Sequence, residues 1–405
     1  MKYKTERKVT CCICNTRGPL TWLLTLFAIN YCGFCNTRKK SFYLVHKITV
    51  AIFLGILVGY NMYFKVIVMY KQMILSIKLT DGVQTINDYV QNIIDLYFVQ
   101  KFGGKMCRDY INQYSIIDKA LGITQYTKLK RRITKFFSFT CLVWSIGCAC
   151  DFGAVTVSFG LNPALVYGIA YIYILIKIAT ILDLTSQVLN VEYRLKTIGD
   201  RLQQIYLPGV SDKTDEGQSW LTGGKVVTIS NKFSILPKVS KHDITWLIKT
   251  YLKLNEQAFF INSMYGLRIL LNSLSLVIDM VRLSNIMVRS VLGAQMLTYD
   301  TNYAYLALSN FARLITCAVV LLVLVLNCER VYRQQERIVF LIDDLVFNKQ
   351  VDEELRTRAL EFKTLVQTRP VEFHLYYFKR LDYKYLTSVA SVVVTFTIIL
   401  LQNVN

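Results

Sequence analysis

"YLTSVASVVVTFTIILLQNVN", residues 385–405, carries no charged side chain from its first position to its last. A helix rises 1.5 Å per residue, so about 20 such residues cross the roughly 30 Å of hydrocarbon in a bilayer, and this run reads as a membrane span. It is not apolar all round. Ser388, Ser391, Thr395, Ile398 and Gln402 recur at steps of three and four, which places them on one face of a helix otherwise made of Val, Ile, Leu and Phe. A polar stripe in lipid needs water or protein beside it. Two readings follow: the face lines a pore, or its hydroxyls bind the helix into its own bundle.

The rest of the chain agrees with a membrane setting. Of 405 residues, 53% are hydrophobic and 18% charged, where a soluble globular protein shows roughly 45–50% and about 25%. The apolar residues are clustered. Ile48–Phe64 and Phe152–Ile176 are free of charge, while Phe136–Val157, Ala258–Val281 and Tyr303–Cys328 hold one or two charges each. Thr80–Phe102, containing "TDGVQTINDYVQNIIDLYFVQ", is too polar to face lipid all round and reads as either a helix buried in a bundle or an amphipathic surface helix, with a spanning helix the expectation. The expectation is an all-α polytopic membrane protein with seven transmembrane helices.

The net charge of +20 is distributed by side rather than by patch. With seven spans, 37 of the 47 Lys and Arg residues fall in 1–42, 103–135, 191–256 and 329–384, and five (Lys65, Lys71, Lys78, Arg282, Arg289) fall on the other side. The positive-inside rule then puts the amino terminus in the cytosol and the carboxyl terminus outside. This pattern points away from nucleic acid as a partner. It also points away from a G-protein-coupled receptor, whose orientation is the reverse and whose seventh-helix motif is one residue shorter than "NPALVY" at Asn162–Tyr167. The first ten residues are basic and no cleavage site follows, so no cleavable signal peptide is expected. Eleven cysteines, an odd number in cytosolic or membrane segments, argue against a disulfide framework.

Nothing in the chain suggests an enzyme, a cofactor or a metal. His46, His242 and His374 are far apart and lack a helix-spaced partner ligand, and neither a phosphate loop nor a serine-nucleophile elbow is present. The pairs Cys11-x-x-Cys14 and Cys32-x-x-Cys35 have zinc-ribbon spacing, but "PLTWLLTLFAINY" between them is apolar where a ribbon needs polar hairpin turns. The segment "LPGVSDKTDEGQSWLTGGKVVTISNKFSILPKVSK", Leu207–Lys241, reads as a disordered cytosolic loop. Amphipathic helices flank it: Leu189, Leu195, Ile198, Leu202 and Ile205 form a stripe that needs a partner, and "ERVYRQQERIVFLIDDLVF" carries another. They are expected to pack together beneath the membrane. The chain divides into a cytosolic segment 1–42, a bundle of six spans over 43–328, a cytosolic helical anchor over 329–384 and a final span over 385–405.

From Cys328 onward, "CERVYRQQERIVFLIDDLVF" and "ELRTRALEFKTLVQTRPVEFHLYYFKRLDYKYLTSVASVVVTFTIILLQN" resemble the carboxyl-terminal region of insect gustatory receptors. That family ends in Thr-Tyr, five apolar residues and Gln-Phe. Here Thr395-Phe396, "TIILL" and Gln402-Asn403 keep the spacing, the Thr and the Gln, with both aromatic positions changed. "KHDITWLIKTYLKLNEQAFFINSMYGLRILLNSL", Lys241–Leu274, resembles the start of the family's fifth helix, with Asn255 in place.

The resemblance implies a ligand-gated, non-selective cation channel in the plasma membrane of sensory neurons, a homotetramer or heterotetramer with related receptors. Its final helix would surround the axis, with Ser388, Ser391, Thr395, Ile398 and Gln402 lining the pore and Gln402 and Asn403 at the gate. Monovalent and divalent cations, membrane lipid and a small-molecule tastant are the partners, the divergent tail favouring a bitter or plant-derived ligand. A sugar-sensing member, or a non-channel protein such as a transporter, is the alternative. The ligand pocket is expected in the outer half of the bundle, among Asn87, Asp88, Tyr167, Tyr171, Asn272, Asp279, Tyr305 and Asn310. Asp88 and Asp279 stand out, because a carboxylate inside a membrane is costly. The apolar spacer between the cysteine pairs matches a short helix that precedes the family's first span, which leaves these thiols unmodified or palmitoylated.

Overall fold

The computed structural model describes residues 18–31, 40–69, 75–123, 126–206, 241–292, 303–347 and 352–402. Gly18, with φ of 51°, turns the chain into Pro19 at the first position of α1 (Pro19–Leu26), which buries Leu20, Leu23 and Leu24. The middle of the stretch between the two cysteine pairs, Pro19–Leu26, is thus a helix, where a ribbon needs a hairpin. Cys11, Cys14, Cys32 and Cys35 lie outside the described residues, as does the expected loop from 207 to 240.

The chain continues as α2 (Lys40–Phe64) with a π-helical turn at Lys65–Met69, then α3 (Leu75–Lys105), which passes through a second such turn into α4 (Ile111–Leu121). Gly122, left-handed with φ of 69°, stops α4. After α5 (Thr127–Phe159), Gly160 with φ of 88° leads into α6 (Leu161–Tyr167) and α7 (Ile169–Tyr206). There follow α8 (Lys241–Val291), α9 (Tyr303–Phe347), α10 (Glu353–Thr368), a two-stranded hairpin of β1 (His374–Leu375) and β2 (Lys379–Arg380), and α11 (Tyr383–Gln402).

Among the described residues, six helices are long and apolar enough to cross a bilayer: α2, α5, α6–α7 taken together, α8, α9 and α11. The seventh is α3. Its 31 residues extend about 46 Å, ample for a crossing, but its buried charges keep it from reading as an apolar span. The protein is therefore an all-α, multi-span membrane protein. Its centre is α9, packed against α7, α8 and α5, with α3 and α11 lying on α8. Between α5 and α9 the approach is close: a Cβ on Gly147 would come within 2.8 Å of Thr316 Oγ1 and 3.5 Å of the Ala312 carbonyl oxygen.

Helices α7, α8 and α9, with 38, 51 and 45 residues, measure about 57, 77 and 68 Å and overrun roughly 30 Å of hydrocarbon. Their excess gathers at the basic end of the bundle. There Leu195, Ile198 and Leu202 of α7, Leu247 and Leu254 of α8, Val331, Ile338 and Ile342 of α9, and Leu355, Phe362 and Val366 of α10 share one core. Leu195, Ile198 and Leu202 of the stripe read from the sequence thus meet the stripe of α9, while Leu189 packs on Leu129 and Ile133 of α5.

The extended segment 369–373 crosses this core without a strand partner for its inner residues, so its backbone groups must be satisfied by side chains. Asn255 Nδ2 donates to the carbonyls of Arg369 (2.9 Å) and Pro370 (3.2 Å), and Tyr251 Oη donates to that of Arg369 at 2.9 Å. Gln335 donates to the Val371 carbonyl at 2.7 Å and accepts from the Val371 amide at 2.8 Å. Replacing Gln335 by Met, of similar volume, should orphan both groups of Val371 and destabilise the protein by on the order of 3 kcal/mol, read as a lowered thermal midpoint of the purified protein relative to a Gln334→Met control.

Candidate functional site

Helices α3 and α8 run antiparallel and meet along a seam with a seven-residue period. Asp95, Asp88 and Asp81 on α3 face Arg268, Ser275 and Arg282 on α8. Asp95 Oδ1 receives Arg268 Nε at 2.7 Å, Asp88 Oδ1 receives Ser275 Oγ at 2.9 Å, and Asp81 pairs with Arg282. Between the rungs, Gln84 Nε2 donates to Asp88 at 2.7 Å and to Asp279 at 3.0 Å. Two turns of helix separate the rungs, so each step along α3 meets an opposite step along α8.

Lys177, from α7, closes the middle of the seam. Its Nζ lies 2.7 Å from Asp88 Oδ1 and 2.9 Å from Asp279 Oδ2, and only 2% of its side chain is exposed. Two carboxylates this close repel one another, and one ammonium between them offsets that repulsion. Farther from the basic end, Lys65 Nζ reaches Asp81 Oδ2 at 2.7 Å and lies 5.3 Å from the Tyr167 ring centroid. Arg313 of α9 pairs with Asp151 of α5 at 2.9 Å. Tyr171 also donates to Asp151, at 2.8 Å, and Arg313 donates to Tyr167 Oη at 3.2 Å. Lys65, Lys177, Arg282 and Arg313 and the carboxylates of Asp81, Asp88, Asp151 and Asp279 are all buried.

Against this network lies a crevice lined by Asn61, Lys65, Thr85, Asp88 and Tyr173, with room for about one water molecule. Asn61 Nδ2 donates to the Val166 carbonyl at 2.9 Å, while its buried Oδ1 has no partner among the described residues. In the region where a ligand is expected, this crevice is walled by two members of the network, Lys65 and Asp88.

Helix α11 presents two faces. Tyr385, Val389, Val393 and Thr397 are buried against the bundle, chiefly against α8. Ser388, Ser391, Thr395, Ile398 and Gln402 are exposed on the outside of the chain. Asn403 lies outside the described residues. At the end of α11 away from the basic end, Arg289 of α8 donates through Nη2 to the Leu400 carbonyl at 2.9 Å and through Nε to Asn285 Oδ1 at 2.9 Å. Arg289 is 1% exposed. Among the described residues no carboxylate pairs with it, so the partial negative charge of the last carbonyls of α11 faces a buried guanidinium.

Residues 18–403, nearly the whole chain, match the profile of the 7tm chemosensory receptor family. The chain belongs to that family. Among solved structures, the insect olfactory receptor OR5 from Machilis hrabei in complex with eugenol is similar to this receptor, with 12% identity, a TM-score of 0.60, and 96% of this chain and 99% of that one covered. The same OR5 without a ligand in its description aligns at 13% identity with a TM-score of 0.56, over 91% of this chain and 92% of that one. No curated protein sequence matches this receptor.

The receptor's fold brings Asp88 and Asp279 onto one lysine, and Tyr167 and Tyr171 into a ring pair with centroids 6.3 Å apart beside Arg313. Asn272 is fully buried on the same seam beside Gln91, and Asn87 is half-buried with its Nδ2 unpartnered. Asn310 turns back to donate to the Leu306 carbonyl of its own helix at 2.7 Å. Tyr305 does not belong to this cluster. It is 57% exposed, on the outward stripe of α9 with Leu308, Phe311 and Ile315, because that helix buries the opposite side against α5 and α8. The sequence counts Lys65, Arg282 and Arg289 as charges on the outer side, whereas the structure buries them in the bundle, and Lys177 and Arg313 carry no role in the sequence reading. A signal was present: Asp at 81, 88 and 95 and Arg at 268, 282 and 289 keep a period of seven inside hydrophobic helices.

Lys177→Met should leave Asp88 without a cation and facing Asp279, whose remaining partner is Arg282 at 3.5 Å, and cost about 3–5 kcal/mol, seen as a fall in the fraction of folded, monodisperse protein after detergent extraction. Adding Asp88→Asn and Asp279→Asn to Lys177→Met should restore most of that fraction.

Proposed function

We propose that this receptor is a taste receptor of the gustatory type that is itself a ligand-gated, non-selective cation channel of the plasma membrane. The observation that carries this reading is the outward polar stripe of α11. In one chain alone, Ser388, Ser391, Thr395 and Gln402 would meet hydrocarbon, which is costly for polar groups. Arranged as four copies, of this chain or with related receptors, about a common axis, the same face lines a wet passage for monovalent and divalent cations. The kept Thr395 and Gln402 at the family's spacing support the gustatory assignment, with Gln402 and Asn403 at the gate. The amide of Gln402 can replace water around an ion without fixing a charge.

In this reading the amino terminus is cytosolic and the carboxyl terminus extracellular, supported by the 37-to-five asymmetry of basic residues. Residues 43–328 form the ligand-binding bundle, 329–384 the cytosolic anchor and 385–405 the pore helix. The ligand is a small bitter or plant-derived molecule. Its site is the network around Lys177, Asp88 and Asp279 and the crevice at Asn61, in the extracellular half. A ligand that binds better to an expanded crevice shifts the population towards that state. The displacement reaches the pore along α8, which carries Asp279 and Arg282 in the seam and Arg289 on the last turn of α11.

Two experiments test this. In cysteine scanning from Ser388 to Gln402 with a water-soluble thiol reagent, modification should peak at 388, 391, 395, 398 and 402 and be lowest at 389, 393 and 397; uniform protection of the first set would rule out α11 as the pore wall. Arg289→Met should raise ligand-independent current per surface receptor by about tenfold, the equivalent of roughly 1.4 kcal/mol lost from the resting state, whereas Arg289→Lys should raise it less. An unchanged current at normal surface expression would remove Arg289 from the gating path.

A further inference from the structure

Between the anchor and the pore helix stands the short hairpin of β1 and β2, in which His374 pairs with Arg380 and Leu375 with Lys379. Its turn is Tyr376-Tyr377-Phe378, closed by the Phe378 amide donating to the Leu375 carbonyl at 2.8 Å. Tyr376 and Tyr377 have φ of 46° and 62°, a left-handed conformation that bulky side chains rarely adopt and that persists only where the surroundings impose it. The three rings are 55%, 59% and 83% exposed.

The surroundings do impose it. Asn262 of α8 donates to the Glu372 carbonyl at 2.6 Å and accepts from the His374 amide at 3.2 Å, while Tyr332 contacts both backbone groups of Phe373. One turn beyond Asn262, α8 carries Gly266, and a Cβ there would lie 3.0 Å from the Tyr376 nitrogen and 3.2 Å from its Cα. The turn is thus clamped onto bare helix backbone with its aromatic side chains directed outward.

The level at which it stands is legible on α8. Along the exposed ridge of that helix, Lys253 and Glu256 are followed by Phe259, 62% exposed, and farther on by Leu274, 50% exposed, with no exposed charge between Glu256 and Leu274. The change from charged to apolar thus falls at Phe259, whose ring centroid lies 6.3 Å from that of Tyr377. Helix α11 starts at Tyr383, just beyond the hairpin, and its 20 residues extend about 30 Å, the thickness of the hydrocarbon. Both measures put the turn at the membrane boundary of the basic end. Arg380 is stacked 3.9 Å from the Tyr332 centroid and paired with Glu372 at 2.7 Å, so its charge is engaged within the protein, while Lys384 is exposed and Lys379 half-exposed on either side of it.

We infer that the Tyr376–Phe378 turn is a bilayer anchor: its rings and Phe259 sit at the headgroup level of the leaflet at the basic end, and Lys379 and Lys384 meet the phosphates of anionic lipids. Aromatic side chains favour this level because their rings leave water while their polar edges stay hydrated, and cations beside them gain from a negative leaflet. The anchor fixes the height of the base of α11. It rests on the membrane-spanning fold and not on the channel reading.

The test uses the full-length protein carrying Phe378→Trp, reconstituted into phosphatidylcholine vesicles with or without phosphatidylserine. The lipids are brominated either near the carbonyls or at the chain ends, and the parent protein's fluorescence is subtracted. Quenching of the added tryptophan should be about twofold stronger with the shallow bromines than with the deep ones, as an interfacial ring requires. Phosphatidylserine should increase it, and Lys379→Glu with Lys384→Glu should cancel that increase. Absence of quenching, or equal quenching at both depths, would overturn the anchor. So would photocrosslinking from position 378 to a second copy of the chain in place of lipid. Hydrogen exchange over residues 374–381 gives a second measurement on the unmutated chain: it should be at least several-fold slower in nanodiscs containing phosphatidylserine than in detergent, and equal rates would likewise overturn it.

Discussion

The receptor depends on a requirement set by its solvent: charges placed inside a bilayer must neutralise one another within the protein. Helix α3 carries Asp81, Asp88 and Asp95, and it could not cross hydrocarbon alone. It crosses because α8 presents Arg282, Ser275, Asp279 and Arg268 at the matching heights and α7 adds Lys177. A slip of one residue in register would turn the acidic face away from its partners, and a slip of one turn would place carboxylates opposite the wrong rungs. The ion pairs therefore specify which helices are neighbours and at what height, more than they add net stability over apolar packing.

The same interaction shapes what a ligand meets. In the half of the bundle away from the basic end, where the ligand is proposed to bind, Lys65, Lys177, Arg282 and Arg313 with their carboxylates lie buried beside a crevice with room for about a water molecule. Any molecule seated there competes with existing ion pairs and must supply hydrogen bonds in return. Asn61 Oδ1, buried and unpartnered among the described residues beside Lys65 and Asp88, is an acceptor already waiting for a donor. In the proposed gating path, Asp279, Arg282 and Arg289 share one helix, so a shift at the seam would be carried to the last turn of α11 with few intervening contacts.

At the opposite end, order comes from a different source. The segment 369–373 has no strand beside it, and the side chains of Tyr251, Asn255, Asn262, Tyr332 and Gln335 take the place of a ladder. Polar side chains facing inward on long helices are usually expensive. Here each one satisfies a backbone group that would otherwise be orphaned, and together they fix the hairpin and the starting point of α11.

Read alone, the sequence determined the class of the protein and the identity of most of its helices. Apolar length, basic asymmetry and three-to-four spacing are local properties of a chain in a bilayer, and they needed no knowledge of neighbours. The exposed stripe of α11 was legible on the same grounds, since Ser388, Ser391, Thr395 and Gln402 share a face whatever packs behind it. What the tertiary structure alone decided is the pairing: that Lys177 sits between Asp88 and Asp279, that Tyr305 faces outward, and that Arg289 ends on the Leu400 carbonyl. A seven-residue period of acids on one helix and bases on another announces two faces, but not that they belong to each other. Charge attraction acts through space between residues about two hundred positions apart, and only the fold brings those positions within reach.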